Sequence, residues 1–151
     1  MDKTLKILND LIETSKDGEY GFRSCAEHVR DNSPLRELFG NRANECRSAA
    51  AELQTLVVRL GGRPSDEGSV LGSLHRGWVS VRGALAGHSE QAMLEECERG
   101  EDQALDAYRE ALDEPELPPD VREVLERQYQ GVKRNHAQIR NLRDQSRAQQ
   151  A

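Results

Sequence analysis

At 151 residues, with a formal charge of −6 and 32% charged residues, the chain is long enough to bury one real core and carries a densely charged surface. The acidic balance argues against nonspecific binding to nucleic acid or to an anionic membrane surface, and no stretch approaches the ~18 apolar residues of a membrane span. The N-terminus, with Asp2, Lys3 and Lys6 and no apolar run, does not read as a signal peptide, so one cytoplasmic domain over residues 1–151 is expected.

Apolar residues recur at alternating steps of three and four through most of the chain, which predicts an all-α fold. The first helix is expected over about Thr4–Val29, with a stripe of Leu5, Leu8, Ile12, Ser15, Glu19, Phe22, Ala26 and Val29. It stops at Asp31, Asn32, Ser33 and Pro34, where Ser33 can cap a second, antiparallel helix. That helix carries Phe39, Arg42, Cys46, Ala49, Leu53, Leu56 and Leu60 on its seam and ends at Gly61 and Gly62.

A turn-rich stretch around Pro64 and Gly68 follows, then a shorter amphipathic pattern at Leu71, Leu74, Trp78, Val81 and Leu85. Together they make a connection of roughly 27 residues, far longer than a bundle turn, so a crossover carrying a short extra helix is expected. Trp78 lies on its apolar stripe and reads as the anchor to the bundle, while His75 lies beside the stripe.

Ser89 can cap the third long helix, whose inward face reads Leu94, Cys97, Glu101, Ala104, Tyr108 and Ala111, widened by Glu98, Leu105 and Leu112. Pro115, Pro118 and Pro119 force the next break, and Asp120 with Glu123 has capping-box spacing. The fourth helix shows Val121, Leu125, Tyr129, Val132, His136 and Ile139, then turns polar and is expected to fray. Its basic residues, among them Lys133, Arg134 and Arg140, read as a solvated face. Cys25, Cys46 and Cys97 lack zinc-knuckle spacing, and Cys46 and Cys97 lie on apolar stripes, as small buried hydrophobes of a reducing compartment would.

Glu19, Glu101 and His136 thus fall where hydrophobic seams should run. Buried carboxylates need partners, and carboxylates with a histidine are the ligands of a metal site in a helical bundle. Counting about thirteen residues either side of the first turn places Glu45 opposite Glu19, and counting from Pro115 brings Glu98 within a turn of His136. The candidate metal ligands are therefore Glu19, Glu45, Glu98, Glu101 and His136. The pattern departs from a two-metal carboxylate centre, which uses Glu-x-x-His twice: Ser48 replaces one histidine after Glu45, and Lys133 replaces the glutamate before His136. A degenerate site for iron or manganese is one reading; the other is an ion-paired remnant in which Lys133 neutralises the carboxylates. Gly18, Gly100 and Gly131 lie near the same level.

The segments LNDLIETSKDGEYGF, LQTLVVRLGG, GSVLGSLHRGW, ECERGED and ERQYQGVKRNH resemble the bacterial four-helix-bundle proteins of the ferritin-like superfamily catalogued as a domain of unknown function and best known from pseudomonads. The resemblance spans nearly the whole chain and implies a ferritin-like four-helix bundle with a long crossover between the second and third long helices. It brings no established reaction. Two functions are carried forward: a non-catalytic bundle acting through a homo-oligomer (dimer or larger) or a protein partner, in a stress response for instance, and a metal-binding ferritin-like protein. No Ser-His-Asp order, phosphate loop or nucleotide fingerprint is present.

Overall fold

Alternating three and four spacing resolves into helices because each such stripe covers one side of a 3.6-residue turn and has to be buried against another. The computed structural model describes residues 2–65, 78 and 89–150. Among them are four helices, α1 (Asp2–His28), α2 (Leu35–Arg59), α3 (Glu90–Leu112) and α4 (Pro119–Gln150), and no strand.

The helix ends follow local chemistry. Ser33 Oγ accepts from the Leu35 backbone N–H at 3.2 Å, and Ser89 Oγ accepts from that of Ala92 at 3.2 Å. α2 ends in paired bonds, Gly62 N–H to Val57 O and Gly61 N–H to Val58 O, with Gly61 at φ +84°, a conformation that a side chain would disfavour. α4 opens at Pro119, so Asp120 falls inside the first turn rather than capping it. α4 is helical to Gln150, and its polar end is tied to α3 by ion pairs of Arg143 with Glu98 and of Arg147 with Glu95 at 3.2 Å.

α1 and α2 form one antiparallel hairpin and α3 and α4 the other. α2 ends near the start of α1, where Gly62 lies against Leu5, whereas α3 begins near the end of α1, where Cys97 lies against Cys25. The ends of the α2–α3 connection therefore sit at opposite ends of the bundle, as a crossover requires. The short helix expected over 71–85, and His75 with it, lie outside the described residues. Trp78 is described and is 2% exposed. Its indole meets Phe22 edge-on at 5.1 Å and fills a notch left by Gly21 on α1 and Gly100 on α3.

The hydrophobic core is divided. One cluster, with Phe22, Cys25, Phe39, Trp78, Met93, Cys97 and Ile139, packs at the end where α1 turns into α2. A second, with Leu8, Leu11, Ile12, Leu53, Leu56, Val121 and Leu125, packs at the other. Between them lies a layer of polar side chains and a cavity.

A Cβ at Gly100 would stand 2.4 Å from the Trp78 ring, whereas one at Gly131 would find its nearest such neighbour, the Arg134 guanidinium, at 3.7 Å. Replacing a helical glycine by alanine gains about 0.5–1 kcal/mol where space allows, but displacing a rigid indole from a packed core loses about 1–3 kcal/mol. Urea unfolding is therefore expected to show Gly100→Ala destabilised and Gly131→Ala unchanged or stabilised.

Candidate functional site: a polar layer around Arg42

Arg42 is one turn beyond Phe39 on the inward face of α2, so its side chain enters the bundle with only 8% exposure. Its Nη2 meets the Glu101 carboxylate from α3, with Oε2 at 3.2 Å, and its Nη1 meets Glu45 at 3.1 Å. The guanidinium also lies over the Phe22 ring, 5.8 Å from the centroid. Glu101, 2% exposed, takes a further hydrogen bond on Oε2 from Asn135 Nδ2 of α4 at 3.0 Å. A buried carboxylate is thus shared by a cation and an amide from two other helices.

The second half of the layer runs from a phenol through an amide to an ion pair. Tyr108 donates from its hydroxyl to Gln128 Oε1 at 2.8 Å, and Gln128 Nε2 donates to Glu52 at 2.9 Å and to the Ala49 carbonyl at 3.4 Å. Glu52 also pairs with Arg127, closing the layer on the side where α2 faces α4. A cavity of about 320 Å³ lies here, lined among others by Ser15, Gly18, Arg42, Cys46, Glu101, Tyr108 and Gln128, with Ser48, Arg127, Gly131 and Arg134 toward the outside. The Arg42 Nε–H is buried and has no hydrogen-bond partner among the described residues.

Burial and charge act against each other in this layer. Burial pushes the Glu101 carboxyl above its ordinary 4.5, and the nearby Arg42 charge and the bonds from Asn135 and Arg42 offset this only in part. Burial opposes the Arg42 charge, but the Glu101 and Glu45 carboxylates favour it more, so it stays protonated. The Cys46 thiol is pushed up to about 12, by burial first. Burial likewise raises the Tyr108 phenol. At Glu52 burial raises the carboxyl, yet the bonds from Arg127 and Gln128 prevail and hold it below the usual range.

The five residues named by the sequence for metal lie at or near this level without converging. Glu19 is half-buried and pairs with Arg23 of its own helix at 3.3 Å. Glu45 is exposed and Glu101 buried, and the two share Arg42. Glu98 pairs with Arg143, and His136 with Asp102 at 2.6 Å, rather than with each other. With a guanidinium between Glu45 and Glu101, the side chains as arranged do not fit a metal ion. Among the described residues, no group of three or more His, Cys, Asp or Glu is placed to hold one.

Lys133, read as the neutralising cation, instead lies 4.9 Å over the Tyr129 ring on the exposed side of α4. Arg42 takes that role. The signal for it was in the sequence, a cation between Phe39 and Cys46 in the α2 stripe. Asn135 and Gln128 carried no such signal, since each is next to a residue that fits the stripe as well. Gly18 takes the buried place beside Glu19, its Cβ position 2.8 Å from Cys46 Sγ.

The raised Glu101 carboxyl has a pH consequence of definite sign. Between 4.5 and its folded-state value the native protein holds a proton that the unfolded chain releases, so stability falls as pH rises through that window. Glu101→Gln cannot ionise. Measured against it by urea unfolding at a series of pH values, the wild type is expected to lose stability from about pH 4.5 upward and then level off; a constant difference across the series would contradict this.

No described helix is long and apolar enough to cross a membrane. The curated proteins searched contain no match to the chain. The family described as a domain of unknown function, DUF2383, matches residues 3–114, which takes in α1, α2 and α3 with Arg42, Glu101 and Trp78. That match covers most of the chain, and the protein belongs to the DUF2383 family.

Proposed function

We propose that the protein works by binding rather than by catalysis, holding a small polar molecule with a carboxylate or similar acceptor group in the cavity around Arg42. The observation that carries this reading is the cavity of about 320 Å³ at the level of the Arg42–Glu101 pair, lined by the charged Arg42 and by Ser15, Tyr108 and Gln128, side chains able to bond a polar molecule. The volume is at the lower end for small-molecule pockets, and the lining is rich in polar and charged side chains, which suits a polar ligand.

Of the buried titratable groups in the layer, Cys46 and Tyr108 are held out of proton transfer at neutral pH, and the raised Glu101 carboxyl has its oxygens taken by Arg42 and Asn135. A proton-transfer group works best with its pKa near the operating pH. Cys46, pushed up to about 12, and Tyr108, raised by burial, stay protonated at neutral pH. Arg42 is held in its charged form.

Association with a second copy or a protein partner, expected from the sequence, has less support on the described helices, where Val58 is the exposed large hydrophobe. The ferritin-like assignment belongs to the same proposal. It is supported by two antiparallel hairpins joined through a connection whose ends lie at opposite ends of the bundle. Metal binding through Glu19, Glu45, Glu98, Glu101 and His136 would require Arg42 to leave both Glu45 and Glu101.

Thermal unfolding with a panel of small carboxylates and their neutral amides, followed by calorimetric titration of any that stabilise, tests the reading. A ligand at about 100 times its Kd adds about 2.7 kcal/mol. The expected result is a carboxylate that raises Tm, an amide that does so less, and loss of the effect in Gly131→Leu, which adds volume at the cavity wall. Stabilisation by iron or manganese and by no small carboxylate would favour the metal reading instead.

A further inference from the structure

Cys25 on α1 and Cys97 on α3 are both 0% exposed, and their sulfurs lie 3.7 Å apart, with the Cys97 S–H directed to Cys25 Sγ. Cys46, the third cysteine, is in the polar layer beside Gly18 and has no sulfur neighbour of this kind among the described residues. The paired thiols sit in the apolar cluster with Phe22, Trp78 and Met93, where α1 packs against α3. The geometry points to Cys25 and Cys97 as an oxidisable pair that forms a reversible disulfide cross-linking α1 to α3, with a hydroperoxide as the oxidant.

One thiol takes an oxygen from hydrogen peroxide, giving a sulfenic acid and water. The other thiol attacks that sulfur, forming the S–S bond and releasing a second water. The two thiols give up two electrons between them, and the peroxide accepts both. A dithiol reductant reverses the change by exchange, returning both thiols and leaving itself oxidised.

Burial governs the rate. Burial, the bond to Cys25 and nearby negative charge together hold the Cys97 thiol well above its ordinary range, so little thiolate is present. Oxidation therefore waits on an opening of the α1–α3 seam and proceeds slowly. The consequence is large once it occurs, because the bridged residues are 72 apart in sequence and the closed loop contains the whole α2–α3 connection. Cross-links that close long loops restrict the unfolded chain most. Oxidation thus adds a covalent link between the two hairpins, and reduction leaves them held by packing and by the ion pairs of the polar layer.

The test uses the full chain, incubated with hydrogen peroxide, alkylated and digested without reductant. The expected product is a linked pair of peptides containing Cys25 and Cys97, lighter by two hydrogens than the sum of the free peptides, with Cys46 recovered as alkylated thiol. Tm should rise by roughly 10 °C and fall back with dithiothreitol. Cys46→Ser should behave as wild type and Cys97→Ser should show no rise. Peptide mapping of the wild type decides the matter even if a variant fails to fold. A Cys25 and Cys97 recovered as thiols or as sulfinic acids after prolonged exposure, or a linkage through Cys46, would overturn the proposal.

Discussion

Bringing the Arg42 guanidinium into the core removes much of its hydration, which costs several kcal/mol and is offset only if its charge and its N–H groups are met inside. Glu101 reaches it from α3 at 3.2 Å, Glu45 reaches it from the outer side of α2, and Phe22 of α1 lies under it. Asn135 of α4 takes a hydrogen bond position on the same carboxylate. All four helices thus contribute to one ion pair. The register between the two hairpins depends on it, because a slide of one turn along either would leave a buried charge without its partner.

The division of the hydrophobic core into two clusters follows from the same constraint. Side chains that satisfy a buried ion pair cannot fill space as leucine or phenylalanine would, and the level of Arg42 contains the cavity. Trp78 and the notch at Gly21 and Gly100 sit directly beside it, on the side of the Phe22 cluster. A bundle built for stability alone would replace this layer with apolar residues, since buried ion pairs are often no more stable than hydrophobic packing of the same volume. Keeping a charged pair beside a cavity is the physical reason for reading this level as the functional one.

Much of this arrangement was legible in the sequence. The α3 stripe through Leu94, Cys97, Glu101, Ala104, Tyr108 and Ala111 is buried throughout, and Trp78 anchors the connection as its apolar position implied. Three of the errors share one cause. A stripe can continue by three or by four residues, and the two choices differ by about 100° around the helix. At three places the structure takes the shorter step, to Gly18, Gln128 and Asn135, where the longer step led to Glu19, Tyr129 and His136. Those three sit at the flank, and Glu19 and His136 find partners on the rim in Arg23 and Asp102. Periodicity alone does not distinguish the two steps; the cost of burying a charge does, and only where no partner awaits it inside. For Glu101 that partner was Arg42, visible in the α2 stripe. The turn from α3 to α4 misled for a different reason: α4 opens at Pro119, so counting from Pro115 set the fourth helix more than a turn out of level.

The claim on which the rest depends is that Arg42 and Glu101 act as a unit. A double-mutant cycle with Arg42→Met, Glu101→Leu and the two combined, read by urea unfolding at neutral pH, measures this directly. The account predicts that Glu101→Leu alone loses about 3–5 kcal/mol, by leaving a buried guanidinium short of its partner, and that the combined variant recovers a large part of the loss. Losses that add to within about 0.5 kcal/mol would contradict it.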